Sequence, residues 1–154
     1  MERYDVIIAG ASFAGLAVAT QLQGRVLLID PHPIGEKQTS ACGTLLEVLV
    51  CLGFEESILQ IHREIAIHTP LGTRTIDVSA NPFCTFNYRR FCQELWAMTA
   101  VETLQARVFG CEENRIMTDQ GSFQGEVLVD ATGWRRVVGD SLQPRKDYRS
   151  SLNF

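Results

Sequence analysis

Hydrophobic and polar positions along the chain fall into a few distinct periods. The first, Tyr4-Asp5-Val6-Ile7-Ile8-Ala9, is a short, mostly apolar run rich in β-branched residues. Continuous runs of this kind predict a strand buried on both faces in a parallel sheet. Leu16 to Leu22 reads as a helix that Gly24 stops at a C′ position. Arg25-Val26-Leu27-Leu28-Ile29 is a second apolar strand, and it ends on Asp30. The loop Pro31 to Gly43, with two prolines and two glycines, is longer than a connector needs to be. Leu45, Leu46, Val48, Leu49 and Leu52 then form a helical apolar stripe closed by Gly53.

Farther along, the pattern turns from continuous to alternating. Ile65 to Thr69 and Thr73 to Val78 flank Pro70-Leu71-Gly72 and predict a half-solvated β-hairpin. After Pro82, Tyr88 to about Ala100 predicts a helix with Phe91, Leu95 and Met98 on one side. Thr103 to Cys111 and Arg115 to Asp119 predict two strands joined through Glu112-Glu113-Asn114, and Gly121 turns the chain back through Ser122-Phe123. These antiparallel strands form a meander laid over one face of the sheet. Glu126-Val127-Leu128-Val129-Asp130 returns to the buried-strand pattern and runs into Ala131-Thr132-Gly133. Beyond Trp134 the order is expected to decay into a polar tail carrying Arg135, Arg136, Pro144, Arg145, Lys146 and Arg149. The fold class predicted is α/β, a Rossmann-like parallel sheet with an antiparallel β-meander.

Candidate chemistry sits in the first of these segments. Gly10-Ala11-Ser12-Phe13-Ala14-Gly15 joins strand to helix, and Asp30 follows Gly10 by 20 residues. Strand, Gly-rich turn, helix, strand and acid at that spacing make a dinucleotide-binding unit. Gly10 permits the tight turn out of the strand, and Gly15 lets the helix pack closely on the sheet. The helix N-terminus directs unpaired N–H groups and a partial positive charge toward a pyrophosphate. Asp30 is expected to accept hydrogen bonds from an adenosine ribose, and its charge disfavours a 2′-phosphate there. The middle glycine of the usual pattern is Ser12, whose hydroxyl is a candidate donor to phosphate.

Composition narrows the choice. The chain has 154 residues, 45% apolar and 21% charged, as in a soluble globular protein with one ordinary core. A net charge of −4 supplies no basic footprint for nucleic acid. Apolar runs stay far below the roughly 18 residues of a membrane span, so no transmembrane segment is expected. The first strand begins almost at Met1, leaving no room for a signal peptide, and the expected compartment is cytoplasmic. Five cysteines (42, 51, 84, 92 and 111) form no Cys-x-x-Cys pair, and three histidines (32, 62 and 68) show no ligand spacing, so no metal site is expected. Cys51 and Cys92 fall inside helical patterns and read as small core residues. No Ser/His/Asp set or close carboxylate pair points to hydrolysis.

Asp5 to Leu16 resembles the amino-terminal signature of FAD-dependent oxidoreductases of the glutathione-reductase-like fold. Later segments are similar to the geranylgeranyl reductase branch, itself close to the para-hydroxybenzoate hydroxylase type of monooxygenase. Lys37 to Gly43 resembles the loop whose Cys-Gly element, here Cys42-Gly43, lies beside the flavin. Thr85-Phe86-Asn87-Tyr88-Arg89-Arg90-Phe91 resembles the segment opening a helix whose polar residues face the cofactor. Val127 to Arg136 is similar to the second nucleotide motif, in which a strand delivers Ala131-Thr132-Gly133 to the dinucleotide. With a meander between the two motifs, the resemblance favours FAD over NAD.

The resemblance implies cofactor contacts at Gly10 to Gly15, Asp30, Pro31, Lys37, Cys42, Gly43, Arg89, Arg90, Val108 and Ala131 to Gly133. Cys42 is the candidate for chemistry, as a thiol against the isoalloxazine or a proton relay, with a plain loop residue as the alternative. Arg89 and Arg90 are adjacent and cannot both face the same way on a helix, so one of them is expected at pyrophosphate or ribityl oxygens. Val108 stands where family members pair backbone groups with adenine. The family's later Gly-Asp motif is absent; Gly139-Asp140 follows Ala-Thr-Gly directly and reads as an ordinary turn. The chain therefore reads as the front portion of a longer enzyme. Residues 1–140 form the FAD-binding domain, with 62–80 a hairpin of a largely missing substrate domain and 141–154 the tail. The implied function is that of a flavin-dependent oxidoreductase reducing an isoprenoid double bond or hydroxylating an aromatic substrate, with NAD(P)H as electron donor. The alternatives are a non-catalytic adenine-dinucleotide-binding module and a fragment without turnover. Self-association is expected through the apolar surface left uncovered.

Overall fold

The computed structural model describes residues 3–38 and 40–143. Along the chain come β1 (Arg3–Ala9), α1 (Phe13–Ala19), β2 (Val26–Asp30), β3 (Gly43–Leu45) and α2 (Leu46–Leu52). A 3-10 turn at Glu55–Ser57 leads into β4 (Ile58–His62), β5 (Glu64–Thr69), β6 (Gly72–Asp77) and β7 (Phe83–Phe86). Then follow α3 (Tyr88–Ala97), β8 (Glu102–Gln105), β9 (Val108–Glu112), β10 (Arg115–Thr118) and β11 (Gly121–Asp130). A second 3-10 turn, Gly133–Arg135, precedes α4 (Val137–Leu142). The chain divides into two compact units: residues up to Ile34 together with those from Leu95 onward, and Gly35–Glu94.

The first unit is built on a six-stranded sheet in the order β8-β2-β1-β11-β10-β9. Its first four strands are parallel and its last three antiparallel, sharing β11. The continuous apolar runs of β1 and β2 are buried on both faces, as their composition requires. Tyr4, Ile7, Ala9, Leu27 and Ile29 join Cys111, Ile116 and Val138 in one cluster. The meander thus lies over that face, and β11 keeps it hydrogen-bonded to the sheet: residues 121–124 pair with β10 and 124–130 with β1. Ile8 and Leu28 point the other way by the period-2 rule, and the buried side of α1 (Gly15, Leu16 and Ala19) covers them. Seven residues cannot hold a helix alone, so α1 depends on this packing.

Three expectations for this unit change. The strand read from Thr103 to Cys111 is two strands, β8 parallel to β2 and β9 in the meander. The chain changes edges at buried Ala106, whose N–H donates to the Asp30 carbonyl at 3.0 Å. An apolar–polar alternation carries no mark of such a switch. The order does not decay after Trp134, because Val138 is buried in the core and anchors α4. Gly139-Asp140 accordingly lies in that helix rather than in a turn. Pro144, Arg145, Lys146 and Arg149 of the expected tail lie outside the described residues.

The second unit holds a three-stranded antiparallel sheet, β3-β7-β4, and the β5–β6 hairpin. The hairpin forms where the alternation places it, with Ile65 opposite Ile76, but all its residues are exposed rather than half-solvated. β3, β4 and β7 have three to five residues each and carry no legible period. Phe91, at the start of α3, stacks edge-on against Phe54 and Phe86 at centroid distances of 4.9 and 5.1 Å. In α2 only Leu49 is buried, and Cys51 is exposed, contrary to the core role its helical position suggested. Cys92 is buried as expected, whereas Met98 falls past the end of α3 and is exposed.

Candidate functional site

At the carboxyl end of β1, Gly10 turns with φ of 107° and donates its N–H to the Ile29 carbonyl at 2.8 Å. A Cβ on Gly10 would run into the Ala131 carbonyl oxygen, and one on Gly15 into the Gly10 carbonyl oxygen. The same Cβ on Gly15 would stand 3.2 Å from the Ala131 side chain. Both glycines are therefore required because three backbone segments cross here. The close approach that needs Gly15 is to the loop and to β11's end, not to the broad face of the sheet. Ser12 caps α1 by position but makes no side-chain cap bond. A serine at this position ordinarily satisfies a first-turn N–H, and here its hydroxyl does not.

Asp30 ends the neighbouring strand with each carboxylate oxygen engaged. Oδ2 accepts the Ala11 N–H at 2.9 Å and Oδ1 the His32 N–H at 2.8 Å. The acid fastens the Gly-rich loop to the end of β2, and each oxygen keeps a further lone pair. Exposed Pro31 turns the chain away, its carbonyl accepting from Gln105 Nε2 at 3.4 Å. On the other side of β1, the Ala131 N–H donates to the Ala9 carbonyl at 2.8 Å. Gly10 to Gly15, Asp30 and Ala131 to Gly133 thus gather at the carboxyl ends of three adjacent parallel strands, where open α/β sheets bind ligands. Val108 opens β9 opposite Thr118, beside a bulge, and is partly buried against the core cluster.

Asp130 went unassigned in the sequence. Its Oδ1 accepts the Thr132 hydroxyl at 2.6 Å and the Thr132 N–H at 3.0 Å, and its Oδ2 accepts the Gly139 N–H at 2.7 Å. Burial pushes its pKa up, but the bonds from Thr132, Gly139 and Val138 outweigh this and hold it below the ordinary carboxylate value. The signal available in advance was Asp-Ala-Thr, the pattern of an Asx turn.

In the second unit, the loop and the segment singled out in the sequence meet. Gly43 pairs with Thr85, and the Phe86 N–H donates to the Cys42 carbonyl at 2.9 Å. A cavity of about 370 Å³ lies between them, lined by Glu36, Cys42, Thr85, Asn87 and Arg89 among others. Cys42 is 3% exposed and holds φ of 53°, its thiol 3.4 Å from the Ser40 carbonyl. Burial raises its pKa, and the Ser40 side chain offsets only part of this, so the thiol stays protonated near neutral pH. A protonated thiol suits holding a proton and not nucleophilic attack.

The two arginines diverge, each toward its own partners. Arg89 lines the cavity and pairs with Glu36 at 2.9 Å. Arg90 points elsewhere, bonded to Glu94 at 2.8 Å and Glu56 at 2.9 Å, and both acids hold its guanidinium more firmly protonated. Lys37 is exposed and does not line the cavity. Glu36 and Asn87 were missed in the sequence; Asn87 caps α3 through Oδ1, which accepts the Arg90 N–H at 3.0 Å. Among the described residues no group of three or more His, Cys, Asp or Glu is placed to hold a metal ion, and no helix is long and apolar enough to cross a membrane.

No protein-family model matches the sequence, and no curated protein matches it either. Solved structures do match the fold. A flavin-dependent brominase, Bmp2, superposes with a TM-score of 0.66 at 18% identity over 86% of this chain and 39% of its own. The myxobacterial chondrochloren halogenase CndH, described as a variant of FAD-dependent halogenases, gives 0.67 at 18% identity over 92% and 40%. Glycine oxidase from Geobacillus kaustophilus gives 0.69 at 15% identity over 92% and 59%. The fold is the one these oxidoreductases and halogenases share. This chain spans less than two thirds of the length of each.

Proposed function

We propose that this chain binds FAD as the nucleotide-binding portion of a flavin-dependent oxidoreductase. One observation carries the reading: the Gly-rich loop, Asp30 and the Ala131–Gly133 turn stand together at the carboxyl ends of β2, β1 and β11. The residues fit a dinucleotide. Gly10 and Gly15 keep the two points of closest backbone approach free of side chains, Ser12 makes no side-chain cap bond, and Asp30 retains lone pairs for ribose hydroxyls. Sharing a fold with proteins named as FAD- and flavin-dependent supports the choice of flavin over a plain nicotinamide dinucleotide. The assignment of Lys37, Cys42, Gly43, Arg89 and Arg90 to the flavin rests on the resemblance, and the cavity geometry favours Arg89 over Arg90.

Bound flavin supplies the redox chemistry, and the protein positions it and sets its electrostatics. Ser12 and the first turn of α1 would bind pyrophosphate oxygens, Asp30 would orient the ribose, and protonated Cys42 would hold a proton at Sγ. Reduction of an isoprenoid double bond, with NAD(P)H as donor, is the reaction supported by the Cys42-Gly43 loop and the Thr85–Phe91 segment. Hydroxylation of an aromatic compound is the competing reaction on the same resemblance.

The test is a side-by-side titration with FAD and ADP, read by calorimetry and by flavin absorbance near 450 nm. Saturable binding of both, with a resolved flavin spectrum for the first, is the expected result. Binding of ADP by a protein that leaves the flavin spectrum unchanged would favour a non-catalytic adenine-dinucleotide module. Binding of neither would overturn the proposal.

A further inference from the structure

Asp130 and Thr132 form a relay with no evident task in holding a ligand. The Thr132 hydroxyl donates a hydrogen bond to Asp130 Oδ1 at 2.6 Å and accepts one from the Val137 N–H at 2.9 Å. The other carboxylate oxygen accepts the Gly139 N–H at 2.7 Å. Two side chains therefore bind the turn 131–133 to the first turn of α4. The carboxylate is exposed, where an isolated ion pair would count for little, but here three charge-assisted bonds converge on it, two of them from fixed backbone N–H groups. Both ends of the relay are anchored. Val138 buries α4 in the core, and Ser141 Oγ donates to the Val137 carbonyl at 2.8 Å. On the other side, the Ala131 N–H is bonded to Ala9, and the Ala131 carbonyl fills the space where a Gly10 Cβ would stand.

We infer that Asp130 and Thr132 are positioning residues for the dinucleotide site: they fix the Ala131–Gly133 turn against the Gly10–Gly15 loop through α4, without touching the ligand. The inference rests on the dinucleotide reading of that site. With its donor and one acceptor position already used, the Thr132 hydroxyl is a poor candidate for direct phosphate contact. Loosening the relay lets the turn move toward or away from Gly10, which has no side chain to buffer the change.

The test compares the parent with Thr132→Val, Thr132→Ser, Asp130→Asn and the double variant Asp130→Asn/Thr132→Val. Leu49→Ala, a core change in the second unit, serves as the stability control. ADP affinity is measured by calorimetry, and exchange of the Val137 and Gly139 amide hydrogens is followed alongside. Thr132→Val and Asp130→Asn should each weaken ADP about tenfold, and Thr132→Ser, which keeps the hydroxyl, should remain within about twofold of the parent. The double variant should lose about as much as the weaker-binding single variant, because both break one relay. Exchange at Val137 and Gly139 should quicken in Thr132→Val and not in Thr132→Ser. Leu49→Ala should lose stability and keep its affinity. A parent that binds ADP while Thr132→Val and Asp130→Asn bind equally well refutes the positioning role and leaves the dinucleotide reading standing, and so do losses that multiply in the double variant. A parent that binds no ADP removes the dinucleotide reading and the positioning role with it. Should Asp130→Asn fail to fold, the contrast between Thr132→Val and Thr132→Ser still decides.

Discussion

Replacing Asp30 by Asn keeps the side chain's shape and removes its charge, which separates two tasks the carboxylate is placed to perform. In the free protein it accepts the Ala11 and His32 N–H groups, one on each oxygen. An amide has one acceptor oxygen, so one of these donors must face an NH2 group instead. Ala11 is buried and His32 is only partly so; the amide should turn its oxygen to Ala11 and leave His32 to water. The stability loss should then be about 1 kcal/mol, within the range of one ordinary hydrogen bond. Affinity should suffer more, since charge-assisted bonds to ribose hydroxyls are worth about 1.5–3 kcal/mol, or roughly 10- to 150-fold in ADP binding. Calorimetric titration with ADP and with its 2′-phosphorylated analogue distinguishes a lost ribose contact from a distorted loop. A lost contact weakens ADP and narrows its advantage over the analogue, because the charge that repelled the 2′-phosphate is gone. A distorted loop weakens both alike. ADP affinity unchanged in a folded Asp30→Asn protein would remove this residue from the site.

Gly10→Val and Gly15→Val each force a side chain onto a backbone carbonyl, and the first also places a β-branched residue at positive φ. Overpacking of about 1–3 kcal/mol, with strain of about 1–3 kcal/mol more at Gly10, should make Gly10→Val the less stable of the two; equal melting of both variants and the parent is the contrary result. Thiol labelling of the folded protein should find Cys51 fast and buried Cys42, Cys84, Cys92 and Cys111 slow, with Cys51→Ser abolishing the fast phase. If that phase survives the substitution, the assignment is wrong. Asp130 has a folded pKa below its ordinary 3.8, so its stabilising contribution is fully present above that pH and is lost as pH falls through the lower folded value. Denaturant midpoints taken between about pH 5 and pH 3 should therefore fall less steeply in Asp130→Asn than in the parent, and parallel curves would contradict the sign.

The parallel core was legible because its signals are local and repeated. Val6 to Ala9 and Val26 to Ile29 are apolar without interruption, which burial on both faces explains; Gly10 marks where the first run ends and Gly24 stands just before the second. The meander was legible for the same reason, through Glu113-Asn114 and Gly121. What escaped was the part fixed by partners distant in sequence. β3, β4 and β7 are too short to show a period, and they exist because each finds a strand from another part of the chain. The division of Thr103 to Cys111 depends on β2 offering a free edge, which no property of those residues reports. Helix α4 was read as tail because its one buried anchor, Val138, stands among arginines and glycine that suggest solvent.

At the site the same division separates what a motif states from what a contact decides. Spacing placed Gly10, Gly15 and Asp30 together but gave Gly15 the wrong neighbour, since the carbonyl it must avoid belongs to Gly10 five residues earlier. It left Arg89 and Arg90 undecided because adjacency on a helix says that they diverge and not which way. Glu36, 53 residues before Arg89, supplies the partner on the cavity side, while Glu56 and Glu94 draw Arg90 away. Asp130 was the residue most easily overlooked, being an acid at the end of a strand whose three successors form the recognised motif. Its carboxylate is what makes that motif a fixed turn: without Asp130 the tie to the Gly139 N–H is lost, and the Thr132 hydroxyl, which accepts the Val137 N–H, loses the acceptor that orients it.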